Sequence, residues 1–259
     1  MTNFIFKLFK WALITTGVLT LILIFSLFAL KKFICSSSLG SCIDWIVQSK
    51  DSCQKHEEWT IETTTTPTIN VQNIVGSIDI KGHDKDECII KATKHGASEE
   101  SLNDVEVATH FSKDKITLKT NTLKKNCRSW ISYELTIPHN AICKIKNVTG
   151  AITITEMKNS VDADTVTGSL ECSLKSLANH ANIELEATTG SIKLYLPKDT
   201  TASIVAKTTV GSIDSDFPLT FDRTEWTGSS AHGLIGDTAS NSNAIKLQVT
   251  TGSIDIKKQ

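Results

Sequence analysis

Near the end of the chain Ile245, Leu247 and Val249 alternate with Lys246, Gln248 and Thr250, and after Gly252 Ile254 and Ile256 alternate with Ser253, Asp255 and Lys257. A period of two predicts a strand with one buried face on each side of Thr251-Gly252. The parity does not carry across that pair, because apolar positions run odd before it and even after it. A one-residue slip turns every side chain to the opposite face, so a corner or bulge at the glycine is required. Glycine tolerates the backbone angles of such a bend. The same pattern recurs in Ile183, Leu185 and Ala187 before Gly190, in Ile192, Leu194 and Leu196 after it, and in Ile204 and Ala206 before Gly211.

Six corner sequences share this form, centred on Gly76, Gly150, Gly168, Gly190, Gly211 and Gly252. Each has Thr or Val before the glycine, Ser or Ala after it, and then Ile or Leu. The intervals from Gly150 onward are 18, 22, 21 and 41 residues, the last close to two of the shorter ones. Such a period predicts a chain that coils on itself, each coil burying its apolar face by stacking on its neighbours. The architecture expected is all-β, a β-solenoid or prism-like stack that presents surface and does not enclose a catalytic pocket. Between Gly76 and Gly150 the period lapses, and strands are expected at Cys88–Thr93, Val105–Phe111, Lys115–Thr120 and Trp130–Ile137, with a short helical turn within Glu99–Val105. This portion reads as the atypical terminal unit that a stack needs for solubility.

The repeated corners, together with Tyr133-Glu134-Leu135-Thr136-Ile137-Pro138 leading to Val148-Thr149-Gly150, Leu196-Pro197 leading to Val210-Gly211-Ser212-Ile213, Asp216-Phe217-Pro218-Leu219 and a glycine-rich loop from Gly228 to Gly236, carry a family resemblance. Over roughly residues 60–259 the chain resembles the bacterial putative adhesin, or toastrack, family. The resemblance implies a β-stack at a bacterial envelope, with adhesion or envelope-stress sensing proposed as its role and no established enzymatic activity. The chain departs from the pattern in its long cysteine-bearing segment before the repeats and in a basic loop from Thr122 to Arg128.

Trp11–Leu30 is a run of twenty residues without a charge. At about 1.5 Å rise per residue, twenty helical residues span a hydrocarbon core of roughly 30 Å. A cleaved signal peptide is the competing reading, but its apolar region is shorter and ends at small residues. Here the run is followed at once by Lys31-Lys32, and bulky Phe33 and Ile34 precede Cys35. A retained single-pass anchor is therefore favoured over cleavage and over a lipoprotein. Lysines flank the run on both sides, so charge leaves the orientation close to a tie. The family resemblance places the repeats outside the cytoplasm, in the periplasm or at the cell surface. The expected organisation is an anchor at 1–30, a juxtamembrane linker at 31–58 and the β-domain at 59–259.

The linker carries Cys35, Cys42 and Cys53. In an oxidising compartment a Cys42–Cys53 disulfide is one arrangement, and a disordered linker with unpaired thiols is the other. Cys88, Cys143 and Cys172 share parity with apolar neighbours and are expected in the core as inert thiols, with a core disulfide between stacked rungs as the alternative. Cys127, in the basic loop, is the candidate exposed thiol.

A net charge of −1 gives no reason to expect a nucleic-acid partner. Seven histidines are scattered, without metal-ligand spacing, so neither metal nor cofactor is expected. Gly228-Ser229-Ser230-Ala231-His232-Gly233 brings serine and histidine close, but it is not a nucleophile elbow and shows no third partner in the sequence. Asn147-Val148-Thr149 matches a glycosylation sequon and is read as part of a corner. The chain is thus expected to be a non-enzymatic, membrane-anchored presenter of a surface to a protein, peptide or glycan. An envelope-stress module acting through a membrane partner is the alternative, with a glycan-cleaving enzyme third. No ligand-contacting residue is legible.

Overall fold

The computed structural model describes residues 53–124, 128–223, 228–236 and 243–259. The apolar run, Cys35, Cys42 and Cys127 lie outside the described residues, and no described helix is long and apolar enough to cross a membrane. In chain order the strands are β1 Cys53–Glu62, β2 Thr68–Val75, β3 Ile78–His83, β4 Glu87–Gly96, β5 Val105–Phe111, β6 Lys115–Thr122, β7 Trp130–Pro138 and β8 Ile142–Thr149. They continue with β9 Ile152–Met157, β10 Val161–Leu174, β11 Asn182–Leu196, β12 Ala202–Val210, β13 Ile213–Ser215, β14 Thr220–Arg223, β15 Ser229–Ile235 and β16 Ala244–Lys258. The fold is all-β, and a 3₁₀ turn at Ser101–Asp104 sits where a helical turn was expected.

Each glycine corner divides one rung into two limbs. The rungs are β2 with β3, β8 with β9, β10, β11, β12 with β13, and β16. Parallel pairing joins them in register: Gly168 lies opposite Gly190, and Gly190 opposite Gly252. First limbs align as β5-β6-β2-β8-β10-β11-β16-β12-β15-β14, and second limbs as β1-β4-β7-β3-β9-β10-β11-β16-β13. Antiparallel hairpins finish both ends of the stack.

The predicted change of parity is present in every long strand. In β16 Ile245, Leu247 and Val249 are buried, Thr250 and Thr251 both face outward, and Ile254 and Ile256 are buried again. Between the limbs the inward positions form a single apolar core rich in Ile, Leu and Val. Full burial of each such side chain contributes about 1.5–3 kcal/mol relative to leaving it exposed.

Two expectations are corrected. First, the rungs do not follow chain order: the last strand, β16, inserts between β11 and β12, pairing with both. Among its described residues the 41-residue interval holds no further corner. It holds β13 and the β14–β15 hairpin, which let the chain return inside its own stack. Second, β1 begins at Cys53 and pairs with β4 along its full length, so residues 53–58 of the expected linker belong to the sheet.

Candidate functional site

All six corner glycines have φ between +127° and +152°. A Cβ on Gly168 would overlap the carbonyl oxygen of Gly150, one on Gly190 that of Gly168, and one on Gly252 that of Gly190. The hydrogen in that place points at the neighbouring carbonyl. This is the geometry of a Cα–H···O contact, worth about 0.5–1 kcal/mol each. The glycines thus form a backbone ladder along the stack, and their side-chain neighbours are thrown outward.

The two residues before each glycine are both exposed, because the corner adds one residue to the alternation. One resulting column runs Val75, Thr149, Thr167, Thr189, Thr251 and Val210, each opposite the next. The column beside it holds Ile74, Val148, Val166, Thr188, Thr250 and Thr209, and the small residues after the glycines form the other border. No charge occurs anywhere on this ridge. Among the described residues, five of the ten exposed large hydrophobics lie on it, namely Ile74, Val75, Val148, Val166 and Val210, which marks the ridge off from singly scattered surface apolars.

Both flanks are charged. On the first limbs Lys144 and Lys146 of β8 face Asp162 and Asp164 of β10, which face Glu184 and Glu186 of β11. Lys246 of β16 then bonds both glutamates, at 2.6 and 2.8 Å. These contacts raise the Lys246 ammonium above its ordinary range. Partial burial raises the Asp164 carboxyl, opposed by Lys146 and reinforced by Glu186 and Asp162. On the second limbs Lys257 bonds Asp214, depressing that carboxyl.

The remaining sequence candidates fall as follows. Cys88, Cys143 and Cys172 are fully buried. Burial pushes the Cys88 thiol up to about 11 and the Cys172 thiol up to about 12, and raises Cys143 as well, so all three are inert at neutral pH. Cys53 is half-buried at the start of β1, and its expected partner Cys42 is outside the described residues. Asn147 is buried and donates from Nδ2 to the Gly76 carbonyl at 2.9 Å, so the sequon nitrogen is unavailable in the fold. His232 on β15 does have an acidic partner that the sequence did not reveal, Asp222 of β14 at 3.4 Å. Antiparallel pairing brings them together, but the neighbouring Ser229 hydroxyl donates to the Gly211 carbonyl at 3.4 Å and not to the imidazole. Among the described residues no group of three or more His, Cys, Asp or Glu side chains is placed to hold a metal. A shallow cleft of about 250 Å³ lies on the outer face between β12 and β16, over Val205 and Lys207.

The family model of the Toastrack DUF4097 domain matches residues 54–257. This chain belongs to the toastrack family. The match begins one residue into β1, in agreement with the sheet boundary. The toastrack fold is also that of a putative cell adhesion protein from Clostridium sporogenes, whose crystal structure aligns over 80% of this chain and 100% of that one, at 16% identity and a TM-score of 0.58. A putative adhesin from Bacteroides fragilis aligns over 79% of this chain and 97% of its own, at 13% identity and a TM-score of 0.32. No curated protein matches the sequence.

Proposed function

We propose that this protein is a non-enzymatic, adhesin-like toastrack domain, held at the bacterial cell envelope by its N-terminal apolar run, that presents its corner ridge to a protein, peptide or glycan. The ridge carries the reading: an uncharged strip of Val, Ile and Thr crosses every rung between two charged flanks. Such a strip is desolvated on contact without stripping water from ions, whereas its flanks are not. The Clostridium protein's description as a putative cell adhesion protein agrees with this role. The apolar run Trp11–Leu30 and the lysines beside it supply the anchor, with the β-domain outside the cytoplasm.

The test is a Val148→Lys, Val166→Lys double variant of the full-length chain. Both side chains are exposed, so thermal stability is expected to stay within a few degrees of wild type while attachment of expressing cells to envelope or host-surface preparations falls at least tenfold. Undiminished attachment by a correctly folded variant removes the ridge from the function. Labelling of a Ser230→Cys variant by a membrane-impermeant maleimide on intact cells, above that of the chain without this substitution, checks the placement independently.

A further inference from the structure

His139 lies at the turn after β7, where the ends of β3, β9 and β10 also meet. Its backbone is pinned, since its N–H donates to the His83 carbonyl and its carbonyl accepts from the Lys158 N–H, both at 2.9 Å. Its imidazole is buried, with 6% of the side chain exposed. Nδ1 bonds the backbone carbonyl of Glu156. A carbonyl only accepts, so Nδ1 carries a hydrogen in the neutral and the cationic ring alike.

Two local features serve that contact. Glu156 has φ +62°, in the left-handed region, at the point where the register between β9 and β10 shifts. Opposite it stands Gly82, on which a Cβ would overlap both the Glu156 carbonyl and His139 Nδ1. A strained non-glycine residue and a glycine inside a strand thus both hold one ring nitrogen in one state.

The other nitrogen faces two groups with opposite demands. Nε2 lies 3.2 Å from Asp84 Oδ1 and 3.3 Å from Lys175 Nζ. The ammonium only donates and needs a lone pair on Nε2; the carboxylate only accepts and needs a hydrogen there. Nε2 satisfies one or the other. Asp84 belongs to the turn between β3 and β4, and Lys175 directly follows β10. Both carry exposed side chains, at 80% and 42%, so the protein places a shielded ring between two solvent-facing charges.

We infer that His139 is a proton-operated selector: the neutral ring holds Lys175 and not the Asp84 carboxylate, whereas the protonated ring holds Asp84 and releases Lys175. The released ammonium has a partner at hand, the Glu156 carboxylate at 3.9 Å. The other polar neighbours have their own bonds. The His83 ring bonds the Glu87 carbonyl at 2.8 Å, Lys85 pairs with Glu87, and Lys158 meets His139 through its backbone. The Asp86 carbonyl accepts from the Thr63 N–H at 3.0 Å in either state, so protonation adds a second tie from the β3–β4 turn to the body of the stack, and deprotonation removes it. This function, acid sensing, does not depend on what the ridge binds.

The experiment is two-bond ¹H–¹⁵N correlation NMR on the histidine-labelled full-length chain in detergent, titrated with pH, with His139→Gln assigning the signal. The neutral ring is expected to be the Nδ1–H tautomer with a bare Nε2. Asp84→Asn should move the protonation of Nε2 to lower pH and Lys175→Met to higher pH. Both positions are exposed, so both variants fold. The hydrogen-exchange protection factors at residues 84–86, taken relative to the intrinsic exchange rate at each pH, should rise on acidification in wild type and not in His139→Gln. An Nε2–H tautomer, or transitions in the two variants that coincide or move the same way, overturns the selector.

Discussion

The middle of the stack and its N-terminal end solve the same problem by different means. At β10, β11 and β16 each corner glycine abuts another glycine, and at β10 and β11 the ladder is built of backbone, while beyond β16 the Thr208 hydroxyl donates to the Gly252 carbonyl at 3.4 Å. The inner positions beside the corner are simply filled, by Thr165, Ala187 and Val249. At the N-terminal end the ladder runs out, because Gly76 meets Ile131 of β7 and not a further glycine. Polar side chains then take over in the core. Asn73 donates to the Ile131 carbonyl at 2.9 Å, its Oδ1 accepts from Thr120 at 2.8 Å, and Thr120 meets the Tyr133 hydroxyl at 2.8 Å. Repetition lets backbone geometry alone fix the register, and ending the repetition requires a side-chain network that is fully satisfied. The boundary lies between β8 and β10, where Asn147 and Thr165 are opposite each other and the Asn147 Oδ1 and Thr165 Oγ1 atoms are both buried without a partner.

The sharpest way to break this contrast is Gly168→Ala. Its φ and the overlap with the Gly150 carbonyl together predict a loss of about 3 kcal/mol or more by urea unfolding. Gly233→Ala, whose nearest neighbour is the movable Leu219 side chain, serves as the comparison and should cost under about 1 kcal/mol. Equal losses would mean that the ladder carries no special weight. At the polar end Asn73→Ala should cost about 2 kcal/mol, since the Ile131 carbonyl and the Thr120 hydroxyl lose a partner in the core. Combined with Thr120→Val the loss should be less than the sum of the single losses, because the two share one network.

The buried thiols add a pH dependence. Their folded-state values lie above the ordinary thiol, so below pH 9 they are neutral in both states and their burial has its full effect. Above it the unfolded chain ionises first, and stability falls as pH rises from 9 towards 11. Cys88 alone should contribute about 1 kcal/mol of that loss by pH 10. Cys88→Ala should flatten the slope between pH 9 and 11 even though it lowers stability overall; an unchanged slope rejects the assignment. The smallest effect tests the boundary. Thr165→Val removes an orphan hydroxyl at nearly constant volume and should change stability by less than about 1 kcal/mol, in either direction. A larger loss would show that Thr165 is bonded to Asn147 in solution.

The sequence was most legible where the pattern repeats. Alternation on both sides of Thr251-Gly252 located the corner, the inward faces and the outward pair Thr250-Thr251, since period and parity are local properties. The isolated strands between Gly76 and Gly150 and the short helical turn were legible for the same reason. The rung order was not, because parallel pairing leaves no mark on which rung neighbours which: β11, β12 and β16 present equivalent edges. The ridge was visible as Thr-Thr-Gly and Val-Gly, but its uncharged continuity needed the register that brings those residues into columns. Asp222 beside His232, and Asp84, Glu156 and Lys175 around His139, left no signal, since each lies on a different strand or turn.

The sequence by itself determined the all-β class, the six corners, the inward faces and the buried thiols, because each follows from side-chain period and from glycine's backbone freedom over a few residues. Only the tertiary structure decided that the last strand enters the middle of the stack, that β1 belongs to the sheet, and that one histidine meets an acid and a base at the same nitrogen. Those are contacts between residues tens of positions apart, fixed by how rungs stack and not by any local preference.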